Sequence, residues 1–216
     1  MEKQKTYHHN DLRNTLISAG LAILAEDGIS ELNLRAVARR AEVSHTAPYR
    51  HFADKEALIV AIAEDGFRRL GEELEAARSR TSGGAKAQLM AVGYAYIAFA
   101  IKETDSFRLM FSHVIQNRTQ HLELCALGKA CFQLLHSLIE TGQATEEFAI
   151  GNSVELAKSA WSMLHGLASL LIEGQFSEDG QDAQMQEQTI HFHLRCVLTA
   201  FSLTPVRQIG TIDNSR

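Results

Sequence analysis

Residues 34–58 read LRAVARRAEVSHTAPYRHFADKEAL, Leu34 through Leu58, and their spacing decides the fold. Asn33 sits where a helix needs a side-chain acceptor, and Leu34, Val37 and Ala38 then fall on one face of a short helix reaching Ala41. Glu42-Val43-Ser44 is a turn, His45–Phe52 reads as a third short helix, and Asp54 caps a long fourth helix over about 55–80. Upstream, Leu12, Leu16, Ala19 and Ile23 repeat at helical period along a first helix from about 10 to 26, closed by Gly28. Three short helices with a tight turn between the second and third form a helix-turn-helix pattern. A third helix of about 8 residues is ~12 Å long, close to the ~12 Å width of a B-DNA major groove. A three-helix core with no ligand has the same spacing, so on pattern alone both readings stand.

Further along, Thr81-Ser82-Gly83-Gly84 interrupts the chain, and helical patterns resume over about 85–102, 106–116, 122–142, 154–173 and 183–203. Only Pro48 and Pro205 interrupt helix, and alternating strand-like runs are missing. The expected fold is all-α, about nine helices. A helix-turn-helix domain is expected over 1–55, a larger helical domain over 56–204, and a frayed tail over 205–216.

Composition, with 45% hydrophobic and 22% charged residues, is that of an ordinary globular protein. The net charge of −5 argues against nucleic acid until it is resolved along the chain. Residues 1–55 carry eight Lys/Arg against seven Asp/Glu, and residues 56–216 carry thirteen against nineteen. Phosphate contact needs only a local positive face. Cys125, Cys131 and Cys196 suit neither a disulfide framework nor zinc, and His191 and His193 diverge on a helix. No metal and no cofactor is expected. The longest stretch free of charges and amides, 89–101, is short for a bilayer span, so a soluble, cytoplasmic protein without a membrane partner is expected. No catalytic motif such as His-Glu-x-x-His or Gly-x-Ser-x-Gly occurs, which leaves a helical enzyme as a remote alternative.

Val37-Ala38, Glu42-Val43-Ser44, Tyr49-Arg50-His51-Phe52 and Lys55-Glu56-Ala57-Leu58 together resemble the TetR/AcrR family of bacterial repressors. The resemblance covers about residues 10–60. Ala160-Trp161-Ser162-Met163-Leu164-His165-Gly166 resembles a subgroup marked by a Trp…His-Gly signature. Two positions depart from the pattern. Glu42 stands where glycine is common, which is tolerated if the turn needs no positive φ. Pro48 replaces a Leu-like residue, and its missing N–H makes the start of the third helix irregular.

The resemblance implies that Tyr49 and Lys55 grip phosphates of a double-stranded operator. Both suit the role, one as a donor on a rigid apolar body and the other as a point charge. Arg35 can reach a base edge or a phosphate, while Ser44, His45 and Thr46 lie at the leading end of the recognition element, and Arg50 is close to the same surface. His51 either meets phosphate or completes the packing. The resemblance also implies an effector pocket in the larger domain, for which Phe99, Phe107, Met110, Phe111, His113, Phe132, His136, Trp161 and His165 are the candidates. Core packing alone would use the same residues. Leu156, Leu164, Leu167, Leu171, Ile190, Leu194, Val197, Leu198 and Phe201 form the apolar stripes of the last two helices, expected to build a homodimer or simply to close the monomer core. The function so implied is a sequence-specific regulator, a repressor released from a palindromic operator by a small apolar or amphipathic effector. The alternative is a DNA binder answering to a protein partner or to no effector.

Overall fold

Eight α-helices and two 3-10 segments, with no strand, make up residues 9–176 and 183–202, the part of the chain that the computed structural model describes. They are α1 (His9–Asp27), α2 (Leu34–Arg40), α3 (Lys55–Arg80), α4 (Ala85–Lys102), α5 (Thr104–Phe111), α6 (Leu122–Ala144), α7 (Ser153–Ile172) and α8 (Ala183–Ser202), with 3-10 turns at Pro48–Arg50 and Arg118–Gln120. The expected tail from Pro205 lies outside the described residues. The chain divides into two compact units, Met1–Gly71 with Glu103–Lys129, and Glu72–Lys102 with Ala130–Arg216. The division passes through α3 and α6, so the first unit runs beyond residue 55 and takes in α5.

In the first unit the sequence signals act locally. Leu16, Ala19 and Ile23 of α1 are buried, as are Leu34, Val37 and Ala38 of α2. Asn33 Oδ1 accepts the Ala36 N–H at 2.9 Å, and Asp54 Oδ1 accepts the Ala57 N–H at 2.8 Å. Gly28, at φ +81°, ends α1. Helix α5 packs on α1 and presses against α3. A Cβ on Gly66 would lie 2.6 Å from Met110 Sδ and 2.8 Å from Ser106 Oγ, so only glycine allows that approach.

Two expectations about the helix-turn-helix are corrected. The third helix over His45–Phe52 is not an α-helix. It is a turn followed by a single 3-10 segment, Pro48–Arg50. Pro48 has no N–H for the Ser44 carbonyl, and the chain winds with i→i+3 bonds instead, Arg50 N–H to Ala47 O at 3.2 Å and His51 N–H to Pro48 O at 2.9 Å. Glu42 does take positive φ, +54°. The Val43 N–H donates to Ala38 O at 3.0 Å and the Glu42 N–H to Arg39 O at 3.2 Å, a Schellman ending for α2 with glutamate in the left-handed position. Helix α7 ends with the same pair of bonds, built on Gly174 at φ +69°.

The second unit is a helical core in which α4 packs against α7 and α8, and α7 against α8. Ala85, Leu89, Leu135, Ile139, Phe148, Ala157, Ala160, Val197 and Phe201 form one buried cluster. Glu147, from the loop after α6, reaches the start of α4 and accepts the Ala85 and Lys86 N–H groups at 2.8 and 3.0 Å. These bonds hold its carboxyl below the usual range. By length and composition α6 could pass for a membrane span. Its Leu135, Leu138 and Ile139 are buried in this unit and Leu124 in the first, and 22% of the apolar window is buried.

Candidate functional site

The surface of the helix-turn-helix is built by the turn after α2 and the 3-10 segment that follows it. Packing Pro48 and Phe52 inward leaves Tyr49 and Arg50 between them, and Ser44, His45 and Thr46 before them, facing outward. His45, Thr46 and Arg50 are exposed, Tyr49 is 52% exposed, and Arg35 is exposed on α2. Ser44 is exposed too, but its hydroxyl lies 2.9 Å from Thr46 Oγ1 and accepts the Thr46 N–H at 3.3 Å. Its role here is to fix the turn that presents Thr46. His51 is half-buried, beside Phe52. Lys55 donates to the Ile29 carbonyl at 2.8 Å, tying the loop after α1 to the first turn of α3. An ammonium has three donors, so this bond leaves two for another acceptor.

The neighbouring arginines divide by partner. Arg40 is held by both carboxylate oxygens of Glu26, the Nη1–Oε2 contact at 2.6 Å, and is a brace between α2 and α1. Arg13 lies over the Phe52 ring at 5.7 Å and 3.8 Å from Glu64, pinning the end of the recognition turn to α1 and α3. Arg35, Arg39 and Arg50 make no ion pair among the described residues.

The pocket candidates separate into the two units. Phe107 and Met110 are fully buried in the first unit, where Phe111 packs edge-on to Phe67 at 5.3 Å. His113 is exposed there. In the second unit Phe99 is buried in α4, while four of the candidates join in a chain of rings. Phe132 stacks on His136 and meets Trp161 edge-on, and Trp161 lies 5.9 Å from His165. Tyr96, absent from the sequence-based candidates, completes the cluster. Its hydroxyl accepts the indole N–H of Trp161 and lies 2.8 Å from His165 Nδ1. His136 Nε2 lies 2.9 Å from Ser153 Oγ. Burial holds the Tyr96 phenol well above its usual range, pushes the Cys131 thiol to about 11 and lowers His165. The inner part of the cluster is therefore neutral at pH 7, with aromatic walls and hydrogen-bonding edges.

Residues 16–62 match the family described as bacterial regulatory proteins of the tetR family, and residues 89–195 match the tetracyclin repressor-like C-terminal domain. The chain belongs to the TetR family. As a member it is a DNA-binding transcriptional regulator, although these matches assign no Trp-His-Gly subgroup. An uncharacterized HTH-type transcriptional regulator of Haemophilus influenzae is 32% identical over 111 residues, 51% of each chain. The YobS regulator of Bacillus subtilis, also uncharacterized, is 23% identical over 76% of this chain and 81% of its own. A Rhodococcus protein of unknown function superposes with TM-score 0.78 at 29% identity, covering 93% of this chain and 100% of that one. The TetR family regulator PfmR of Thermus thermophilus shares the fold, with TM-score 0.65 at 17% identity, over 85% of this chain and 97% of its own.

In this TetR-family chain the residues expected at a dimer interface are largely spent on its own core. Leu164, Leu167, Leu194, Val197 and Phe201 are buried within the single chain, and Leu156, Leu171, Ile190 and Leu198 are half-buried. Stripes at helical period mark the most apolar face of a helix, which the monomer covers first. The apolar surface left over on α7 is offset from that stripe. Val154 and Trp161 lie on one side, and Met163 and Leu170 on the other.

Proposed function

We propose that this protein is a homodimeric repressor that leaves a palindromic operator when a small apolar or amphipathic effector binds. The observation that carries the DNA half is the outward set Arg35, His45, Thr46, Tyr49 and Arg50, polar donors on one short helix-turn-helix whose apolar neighbours are buried. Their chemistry separates into two tasks. Tyr49 and Arg50 suit phosphate oxygens, as does Lys55 through its remaining donors. Arg35, His45 and Thr46 suit base edges. Two such heads on a two-fold dimer would meet half-sites about one helical turn apart, ~34–36 Å.

The effector half rests on the ring cluster of Tyr96, Phe132, His136, Trp161 and His165, which offers apolar walls with a few fixed polar points. Dimerisation is supported by Met163, Gly166 and Leu170 on one face of α7. The two large side chains are 43% exposed, and a Cβ at Gly166 would meet nothing within 4 Å. A helix-interior glycine that nothing in its own chain requires suits the close approach of a second helix.

Fluorescence anisotropy on fragments from a random genomic library, run as a salt series, tests the DNA reading. Wild type should select fragments with inverted repeats and lose affinity steeply with salt. Tyr49→Phe should weaken all selected fragments alike, whereas Thr46→Ala should relax the preference at one position of each half-site. Selection of no sequence by protein refolded free of bound small molecules would remove the proposal.

A further inference from the structure

The turn that leads into the 3-10 segment carries a hydroxyl pair. Ser44 Oγ lies 2.9 Å from Thr46 Oγ1 and also accepts the Thr46 N–H at 3.3 Å. The backbone closes on the same serine, whose carbonyl accepts the Ala47 N–H at 2.9 Å. Both hydroxyl residues are exposed between α2 and the 3-10 segment, so their mutual contact, not packing, sets how their side chains are turned. The Cβ of threonine carries a hydroxyl and a methyl on different sides of one tetrahedral carbon, and rotation about χ1 is restricted. Holding the hydroxyl back against Ser44 therefore commits the methyl to another direction. With Ala47 half-buried and Pro48 buried, His45 and Thr46 form the outer side of the turn. We infer that Thr46 reads its operator through this methyl, against the 5-methyl group of a thymine, and that Ser44 is the positioning residue that turns the methyl outward.

This inference rests on the DNA-binding surface proposed above and names what one of its residues recognises. In the major groove thymine alone presents a methyl group, and the methyl of threonine is among the side-chain groups that meet it. A threonine with its hydroxyl outward would read less narrowly, since a group that both donates and accepts suits several base edges. The bond to Ser44 thus makes a selective reader out of an ambiguous one. His45, the exposed neighbour, offers ring nitrogens to polar base edges, so the two adjacent residues divide polar from apolar readout.

Replacing one thymine by deoxyuridine tests the methyl itself, because the two pair identically and differ only at C5. Losing one buried methyl contact is worth about fourfold in affinity for each half-site, or about fifteenfold when both half-sites of a dimer are changed.

The experiment takes duplexes selected by the full-length wild type, replaces each thymine of the half-site in turn, and reads affinity by fluorescence anisotropy. Wild type should lose affinity by that factor at one position of each half-site. Thr46→Ser, which keeps the hydroxyl and drops the methyl, should bind thymine and uracil equally there. Thr46→Val, with a methyl on both branches, should keep the preference. Ser44→Ala should lose it, and Ser44→Ala/Thr46→Val should regain it, because valine offers a methyl where a released threonine offers its hydroxyl. A merely damaged turn lowers both affinities together and leaves their ratio unchanged. A preference kept in Thr46→Ser, or lost in Thr46→Val, overturns the thymine reading. A preference kept in Ser44→Ala overturns the role of Ser44. If wild type discriminates at no thymine of a duplex it has selected, the inference falls while the DNA reading stands. Selection of no sequence at all removes both.

Discussion

Replacing Glu42 with glycine should make the protein more stable. At φ +54° the Cβ of Glu42 crowds its own backbone, a cost of about 1–2 kcal/mol for an L-residue in the left-handed region. Glycine removes that cost but brings a more flexible unfolded chain, which returns about 0.5–1 kcal/mol. The net expectation is a gain of about 0.5–1 kcal/mol. The Schellman bonds of Glu42 and Val43 are backbone bonds and survive the change, and the equivalent position after α7 is already Gly174. For a chain of 216 residues a gain of this size raises Tm by about 1–4 °C. Differential scanning calorimetry of wild type, Glu42→Gly and Glu42→Ala measures it. Alanine keeps the Cβ and removes only the charge, so Glu42→Ala should not share the gain. Both variants lose a negative charge near the helix-turn-helix and should bind DNA slightly more tightly to the same degree. Equal Tm for the glycine and alanine variants, or a lower Tm for glycine, would refute the backbone argument.

Gly66→Ala should cost about 1–3 kcal/mol, because the added methyl overlaps the buried Met110 and Ser106, and urea unfolding would read it. A companion Met110→Ala change should recover part of that loss if the clash is the cause. His165 is held neutral by burial, so the unfolded state binds more protons as pH falls below the ordinary 6.5. Stability contributed by the neutral ring is therefore present above that pH and fades as pH drops toward the lower folded value. His165→Gln should flatten the acid side of a Tm-against-pH curve, and an unchanged curve would count against burial as the cause. Glu147→Ala should lower Tm and speed amide exchange at Ala85 and Lys86, while Glu147→Gln, which keeps an acceptor oxygen, should do so less.

Much of this protein was legible in the order of its residues because the decisive interactions are local. Asn33 and Asp54 cap helices three residues away, Gly28 ends α1, and the apolar spacing of 16, 19, 23, 34, 37 and 38 announces which faces are buried. The motif over 37–58 carries the family for the same reason, since a helix-turn-helix is specified within one short stretch. The tertiary structure decided what depends on partners far along the chain. The Ser44 carbonyl loses its helical donor to a proline four residues on, yet only the folded turn shows that the segment winds as 3-10 and that Glu42 is driven to positive φ. Lys55 reads as a free cation in sequence, and only folding places Ile29 O against it. Tyr96 finds His165 across 69 residues, and Tyr94 finds His191 across 97. Side chains that far apart in sequence leave no periodic trace, because helix packing rather than spacing brings them together. The stripes on α7 and α8 were visible as apolar faces, but whether a face is covered by its own chain or left outward depends on which helices pack beside it.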